Sequence, residues 1–223
     1  MRKLLILNCT FAKAGIERLN KLFTNLIEKY NIDFEIYHLT DNIENLDEFS
    51  HLIISGSALL VSQDNEYDNK LFDIIRQFAN KRILGICYGH QILAKVLMQE
   101  NICRKSNTPE LGWRMVTLTK NQLFKGISNP VFYESHLEEV FDLNDDFEII
   151  ALNANCEIQG YQYKNLPIWG VQFHPEVTYE YGMQSLKNKL ANNKHLENIF
   201  YNELDDPKYI EQNFRIFENF IKL

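Results

Sequence analysis

The chain has little sulfur for a disulfide framework: four cysteines in 223 residues (Cys9, Cys87, Cys103 and Cys156), none spaced as C-x-x-C. A secreted protein held together by bridges would carry more, so the sequence points to a reducing compartment and a cytoplasmic, soluble protein. Long apolar runs are missing too. No stretch approaches the roughly 20 residues of a membrane span, and the opening MRKLLILNCTF has too short an apolar run for a secretory leader before Asn8 interrupts it. Positive charge is in deficit, with 23 Lys and Arg against 30 Asp and Glu and a net charge of −7. That argues against a nucleic-acid partner or an anionic membrane surface. Walker A, G-x-G-x-x-G and H-E-x-x-H motifs are absent, as is any cysteine metal cluster, so no organic cofactor and no metal is expected.

What is present is globular in character. An apolar share of 45% with 24% charged residues suits one sizeable core, and the length favours a single domain over residues 1–223. KLLILN (3–8) is a short apolar run, and DFEIYHL (33–39), HLIISGS (51–57) and RILGI (82–86) read as strands. Between them, AGIERLNKLFTNLIEKY and NKLFDIIRQFAN place apolar residues at helical spacing. Alternation of this kind predicts an α/β fold: an open, mostly parallel sheet with helices on both faces. After Cys103, six short apolar segments (WRMVTLT, PVFYESH, EEVFDL, FEIIALN, IQGYQYK and PIWGVQF) predict a small antiparallel meander attached to that sheet. Residues 179–223 read as a helical C-terminal extension, ending in one helix over DDPKYIEQNFRIFENFIKL with Pro207 near its start.

The sharpest local feature is KRILGICYGHQILAKVL (81–97), where a buried strand ends on Cys87 and a helix begins at once. This is the layout of a nucleophile elbow, GICYG standing where hydrolases have G-x-S-x-G. Such a turn projects its nucleophile at the carboxyl end of the sheet, where open α/β folds bind ligands, and it needs small neighbours such as Gly85 and Gly89. The following helix aims its unpaired N–H groups and positive dipole end at the sulfur, a setting that suits a thiolate. A core thiol is the alternative, but a core strand gains nothing from flanking glycines.

A thiolate catalyst needs an imidazole. Of six histidines, His38, His51 and His195 sit in ordinary patterns, and His90 lies inside the helix, where it caps or packs. His136 in YESHLEE is a candidate. His174 in IWGVQFHPE is a better one, because it ends a buried strand, Pro175 stops the strand, and Glu176 at i+2 can orient the ring. Cys87, His174 and Glu176 thus follow the Cys-His-acid logic of acyl transfer. For the oxyanion hole, Tyr88 offers a backbone N–H, and Gly56 with Ser57, just past a strand expected beside that of Cys87, offers another. An ordinary strand-to-loop glycine is the alternative for Gly56.

GICYGHQ fits G-x-C-x-G-x-Q and GVQFHPE fits G-x-Q-x-H-P-E, so the chain resembles the class I (triad) glutamine amidotransferases from Met1 to about Thr178. ELGWRMV (110–116) and YESHLEEV (133–140) are similar to the glutaminase domain of GMP synthase and its stand-alone relatives. The resemblance implies a flavodoxin-like fold and a reaction in which Cys87 attacks the side-chain amide of glutamine, releasing ammonia and leaving a γ-glutamyl thioester that water hydrolyses. His174 would be the acid and base, and Glu176 would orient it. Gln91 and the backbone of Ser135 and His136 match positions that hold glutamine; a helix-surface amide and an ordinary turn are their alternatives.

Two departures from the family pattern matter. Its oxyanion strand usually ends Gly-Gly-Pro, where this chain has Ser55-Gly56-Ser57. One amide, at Ser57, is therefore expected to be turned away until a partner or the proper substrate docks near residues 56–66. No synthetase domain is recognisable in the sequence after residue 178. Ammonia would then pass to a separate synthetase-type chain, unless the protein is a γ-glutamyl peptide or conjugate hydrolase using the same triad, or a degenerate regulatory protein.

Overall fold

The computed structural model describes residues 2–223, so Met1 lies outside the described residues. Its first half is a βα alternation: β1 (Lys3–Asn8), α1 (Lys13–Ile27), β2 (Asp33–His38), β3 (His51–Ile54), α2 (Asp68–Gln77), β4 (Arg82–Ile86) and α3 (Tyr88–Met98). The strands are near-continuous apolar runs because both faces are covered. Leu4, Ile6, Ile53, Leu84 and Ile86 pack towards α1, while Leu5, Leu7, Leu52, Ile54 and Ile83 pack towards α2 and α3. Alternation along each strand thus divides the core into two layers.

The second half supplies β5 (Cys103–Met115), β6 (Thr117–Leu118), β7 (Val131–Val140), β8 (Phe147–Leu152), β9 (Gly160–Tyr163), β10 (Ile168–Val171), α4 (Tyr179–Asn192), β11 (Phe200–Asn202) and α5 (Arg215–Lys222). The main sheet has eight strands in the order β2-β1-β3-β4-β10-β9-β8-β6. Pairing is parallel from β2 to β10 and antiparallel from there to β6. A second sheet of three strands runs β11-β5-β7.

This refines the expected meander. PIWGVQF is not part of a separate antiparallel unit: β10 pairs in parallel with β4, Gly170 opposite Gly85. EEVFDL makes no strand of its own, because no turn separates it from PVFYESH and both run through β7 until Asp142 takes a positive φ of 54°. β5 begins ten residues before WRMVTLT, and its polar start carries no alternation to betray it. Its register with β7 shifts between Lys105 and Glu110, around Pro109, which can donate no ladder hydrogen bond. The small sheet is also not wholly antiparallel, since β11 joins β5 in parallel.

Residues 179–223, expected as helices, therefore include the short strand β11. The expected final helix is two pieces, a 3-10 segment Pro207–Phe214 followed by α5. Ile216, Phe217 and Phe220 of α5 are fully buried on the α1 face of the main sheet. α4 instead covers the small sheet, where Leu111, Trp113, Val131 and Tyr133 pack with Val177, Leu186 and Ile210. Gly182 permits that approach, as a Cβ there would stand 2.5 Å from Cζ2 of Trp113. None of the described helices is long and apolar enough to cross a membrane.

Candidate active site

Cys87 ends β4 and caps α3 with φ 52° and ψ −104°, a conformation that L-residues avoid and that sites hold under strain. Crossing strand and helix so tightly demands the flanking glycines. A Cβ on Gly85 would stand 2.8 Å from the His90 nitrogen, and one on Gly89 would stand 2.8 Å from the Ile54 carbonyl carbon. The bend is locked by Cys87 N–H donating to the Val171 carbonyl of β10 at 2.8 Å. The elbow reading of GICYG thus has its geometric reason: these glycines are where β3, β4 and α3 touch.

His174 follows β10, and its N–H donates to the Tyr133 carbonyl of β7 at 2.9 Å, joining the two sheets at the site. Its Nδ1 lies 2.7 Å from Oε1 of Glu176, and the ring and the Cys87 side chain both lie against Gly56. With Nδ1 committed to the carboxylate, Nε2 is the atom left for sulfur. Burial opposes a charged ring, but Glu176 and Cys87 together outweigh it and hold the His174 pKa well above the ordinary histidine value. Glu176 is itself buried. The three residues expected to act together do meet.

Gly56 lies directly against this group, as a Cβ on it would stand 2.9 Å from Cε1 of His174 and 3.6 Å from Cβ of Cys87. Among the described residues, no protein acceptor takes the N–H of Gly56, Ser57 or Tyr88. All three candidate oxyanion donors are therefore uncommitted. The hydroxyl of Ser57 accepts the Leu59 N–H at 3.1 Å and shapes the loop locally.

Gln91 is no surface amide. It is buried in the first turns of α3, and its Nε2 donates to the Glu138 carbonyl and to Oε1 of Gln172, both at 2.9 Å. Ser135 and His136 lie within β7, not in a turn. The His136 ring is spent internally, with Nδ1 3.0 Å from the Glu138 carbonyl and Nε2 3.2 Å from Glu110. Ser135, on the opposite face of the strand, lines the cleft. His90 is fully buried against Tyr161, and burial brings its pKa down to about 3. His195 is exposed, while His38 and His51 make local bonds to Thr40 and Ser50.

Several residues that the motifs did not single out shape the site. Glu138 accepts the Val61 N–H at 2.8 Å, the Ser62 N–H at 3.2 Å and the Ser62 hydroxyl, pinning the loop that follows Gly56. Its signal was there, at i+2 from His136 on the same face of a strand. Lys189 of α4 reaches the cleft and donates to the Ser135 hydroxyl, which helical periodicity could not reveal without the position of α4. Glu110, Glu134 and His136 bring ligand-type atoms within 4.8 Å of one another. Yet Glu110 already accepts from Arg114, Asn153, Gln159 and His136, and Arg114 supplies the positive charge it pairs with. Burial raises the Glu110 pKa, but His136, Asn153 and Arg114 prevail and bring it below the usual carboxylate value. Glu134, fully buried with both oxygens unpartnered, is held well above that value by burial and by the neighbouring Glu110.

Gly56, Cys87, Gln91, Ser135, His174 and Glu176 border one cleft of about 590 Å³, at the carboxyl ends of the parallel strands. A thiol-imidazole-carboxylate row facing a cleft beside uncommitted amides can run acyl transfer through a thioester. The model of the family described as glutamine amidotransferase class-I matches residues 17–193. The chain is 35% identical to the glutamine-hydrolysing GMP synthase subunit of Pyrococcus furiosus over 61% of its length and 72% of that protein. With the corresponding GMP synthase subunit from Saccharolobus solfataricus the identity is 31%, over 77% of this chain and 92% of that one. A glutamine amidotransferase structure from Thermotoga maritima superposes with a TM-score of 0.73 at 21% identity, covering 100% of this chain and 99% of the other; at that identity the likeness concerns the fold.

Proposed function

Since the chain belongs to the class-I glutamine amidotransferase family, we propose that it hydrolyses glutamine and delivers ammonia to a separate synthetase chain, in the manner of the glutamine-hydrolysing component of a two-chain GMP synthase. One observation carries the catalytic assignment: Cys87, strained at the end of β4, meets beside Gly56 a His174 whose Nδ1 sits 2.7 Å from Glu176.

In this reading the Cys87 thiol gives its proton to Nε2 of His174 as sulfur attacks the side-chain carbonyl carbon of glutamine. The oxyanion forms facing the N–H groups of Tyr88 and of Gly56 or Ser57. Collapse breaks the C–N bond, His174 returns the proton to the leaving nitrogen, and ammonia departs from the γ-glutamyl thioester. Water then loses a proton to His174, attacks the thioester and releases glutamate with the restored thiol. Glu176 fixes the tautomer and stabilises the imidazolium. Gln91 and the Ser135–His136 backbone hold the substrate. Four free cysteines accord with a cytoplasmic placement. The burial of Phe217 and Phe220 beside Phe23 of α1 supports residues 1–223 as one domain.

The deciding experiment is ammonia release from glutamine against release from γ-glutamyl dipeptides, with and without the candidate synthetase chain. We expect glutamine to be preferred. Basal turnover should be low, by roughly 10²–10³ if one oxyanion donor is withheld, and should rise when the partner is added. Preference for the dipeptides with no response to a partner would make the protein an autonomous γ-glutamyl hydrolase, and no turnover of either would point to a regulatory protein.

A further inference from the structure

Tyr181, Ser185 and Lys189 form one ridge of α4 at intervals of four residues, and all three line the cleft that holds Cys87. Opposite them stand Tyr133 and Ser135, alternate residues on one face of β7. The two ridges are tied twice. The Tyr133 hydroxyl donates to Ser185 at 3.1 Å, and the Lys189 ammonium donates to the Ser135 hydroxyl. The helix is therefore held with a cation over the part of β7 that borders the substrate.

Lys189 is unusual in its company. It is half-buried, and among the described residues no carboxylate lies within salt-bridge distance of it, in a chain where acidic residues outnumber basic ones 30 to 23. Its one side-chain partner is a neutral hydroxyl, which leaves two of its three N–H donors for a ligand. Arg18 of α1 lines the same region, stacked over the Tyr181 ring at 5.0 Å and likewise without a carboxylate. Burial lowers the Lys189 pKa, the nearby Cys87 counteracts this, and Arg18 adds to it. A desolvated ammonium beside a second cation is a site that an anion stabilises.

We propose that Lys189 is a specificity-determining residue that binds the α-carboxylate of the γ-glutamyl substrate, with Ser135 positioning its ammonium and Arg18 reinforcing the positive potential. This rests on the glutamine-hydrolysing reading above. The chemistry fits: the scissile amide must lie at Cys87, so the charged amino-acid end of the same molecule extends along the cleft, where these cations wait. Glu110 and Glu138 also line the cleft, but both carboxylates are engaged in internal bonds, so neither competes for Lys189.

The test measures binding separately from turnover. In a Cys87→Ala background, the full chain is titrated calorimetrically with L-glutamine and with its α-amide, which lacks the carboxylate charge. Adding Lys189→Met should raise the Kd for glutamine roughly tenfold to a hundredfold, the scale of one charged hydrogen bond, and change the Kd for the α-amide less than about threefold. Lys189→Arg, which keeps the charge, should bind glutamine within a few-fold of its parent. Equal losses for both ligands, no loss for either, or failure of the parent to bind glutamine would overturn the assignment. A chain that binds glutamine through Lys189 but whose unmutated form releases no ammonia either alone or with the synthetase chain would refute the glutaminase reading while leaving the carboxylate subsite standing.

Discussion

The Glu138 carboxylate accepts the N–H of Val61 at 2.8 Å, and through it β7 holds the loop that leads away from Gly56. The same carboxylate takes the Ser62 N–H and hydroxyl, while the Glu138 carbonyl receives Gln91 from α3. One residue thus connects the loop after Gly56, the elbow helix and the small sheet.

Replacing Glu138 with Gln leaves one acceptor oxygen where the carboxylate has two, and removes the charge that strengthens these bonds. We predict a stability loss of about 1–3 kcal/mol and a fall in kcat of up to roughly 10²–10³, the cost of one misplaced oxyanion donor. Hydrogen exchange at Val61 and Ser62 should accelerate. Unchanged exchange with lowered activity would locate the effect elsewhere.

Cys87→Ala should abolish thioester chemistry, lowering turnover by at least about 10³, with the fold retained. The strained backbone adds a sharper expectation. Because φ is 52° and ψ −104°, Cys87→Gly should be more stable than Cys87→Ala, by about 1 kcal/mol. Thermal unfolding of the pair reads this out, and an alanine variant as stable as the glycine one would contradict strain at the elbow.

For the triad, His174→Ala should depress acylation and deacylation together, with Glu176→Gln milder. Removing the Glu176 charge takes away the leading support for the His174 proton, so the ring should titrate lower in Glu176→Gln than in the parent, as followed by NMR of its Cε1–H. The sign carries over to stability. Since the folded pKa is raised, the pairing stabilises fully below the unfolded value of about 6.5 and is lost as pH rises through the folded value. The stability gap between parent and Glu176→Gln should therefore narrow towards alkaline pH.

Glu134 gives the opposite pH signature. Its carboxyl stays protonated in the folded chain well above the ordinary value of 4.5, through burial and the neighbouring Glu110. The unfolded state then binds fewer protons, and stability falls as pH rises from about 4.5 towards the folded value. Glu134→Gln removes that dependence. Its Tm relative to the parent should climb from pH 5 to pH 8, whereas a constant difference would show Glu134 to be ionised in the fold.

The parallel half of the fold and the pairing of Cys87 with His174 and Glu176 were legible without the structure. Both are local: apolar runs such as KLLILN alternating with amphipathic helices read as doubly covered strands, and a cysteine between close glycines at a strand end, with His-Pro-Glu ending another strand, carries its chemistry in the spacing. The sequence did not determine how the second half divides. β5 starts in the polar segment from Cys103 and shifts register around Pro109, so no periodicity marks it. PIWGVQF looks the same whether it pairs in parallel with β4 or within a meander, and pairing to a strand 85 residues away decided it. The surroundings of the triad were likewise a tertiary outcome. For Gln91 a substrate-holding amide and a helix-surface amide both stayed open until β7 and Gln172 closed over it. Lys189 is one more lysine on a polar helix until Gly182 lets α4 settle on Trp113 and turns that side chain towards Ser135. Side chains whose partners lie on another element gain their meaning only when packing fixes the distance between the two.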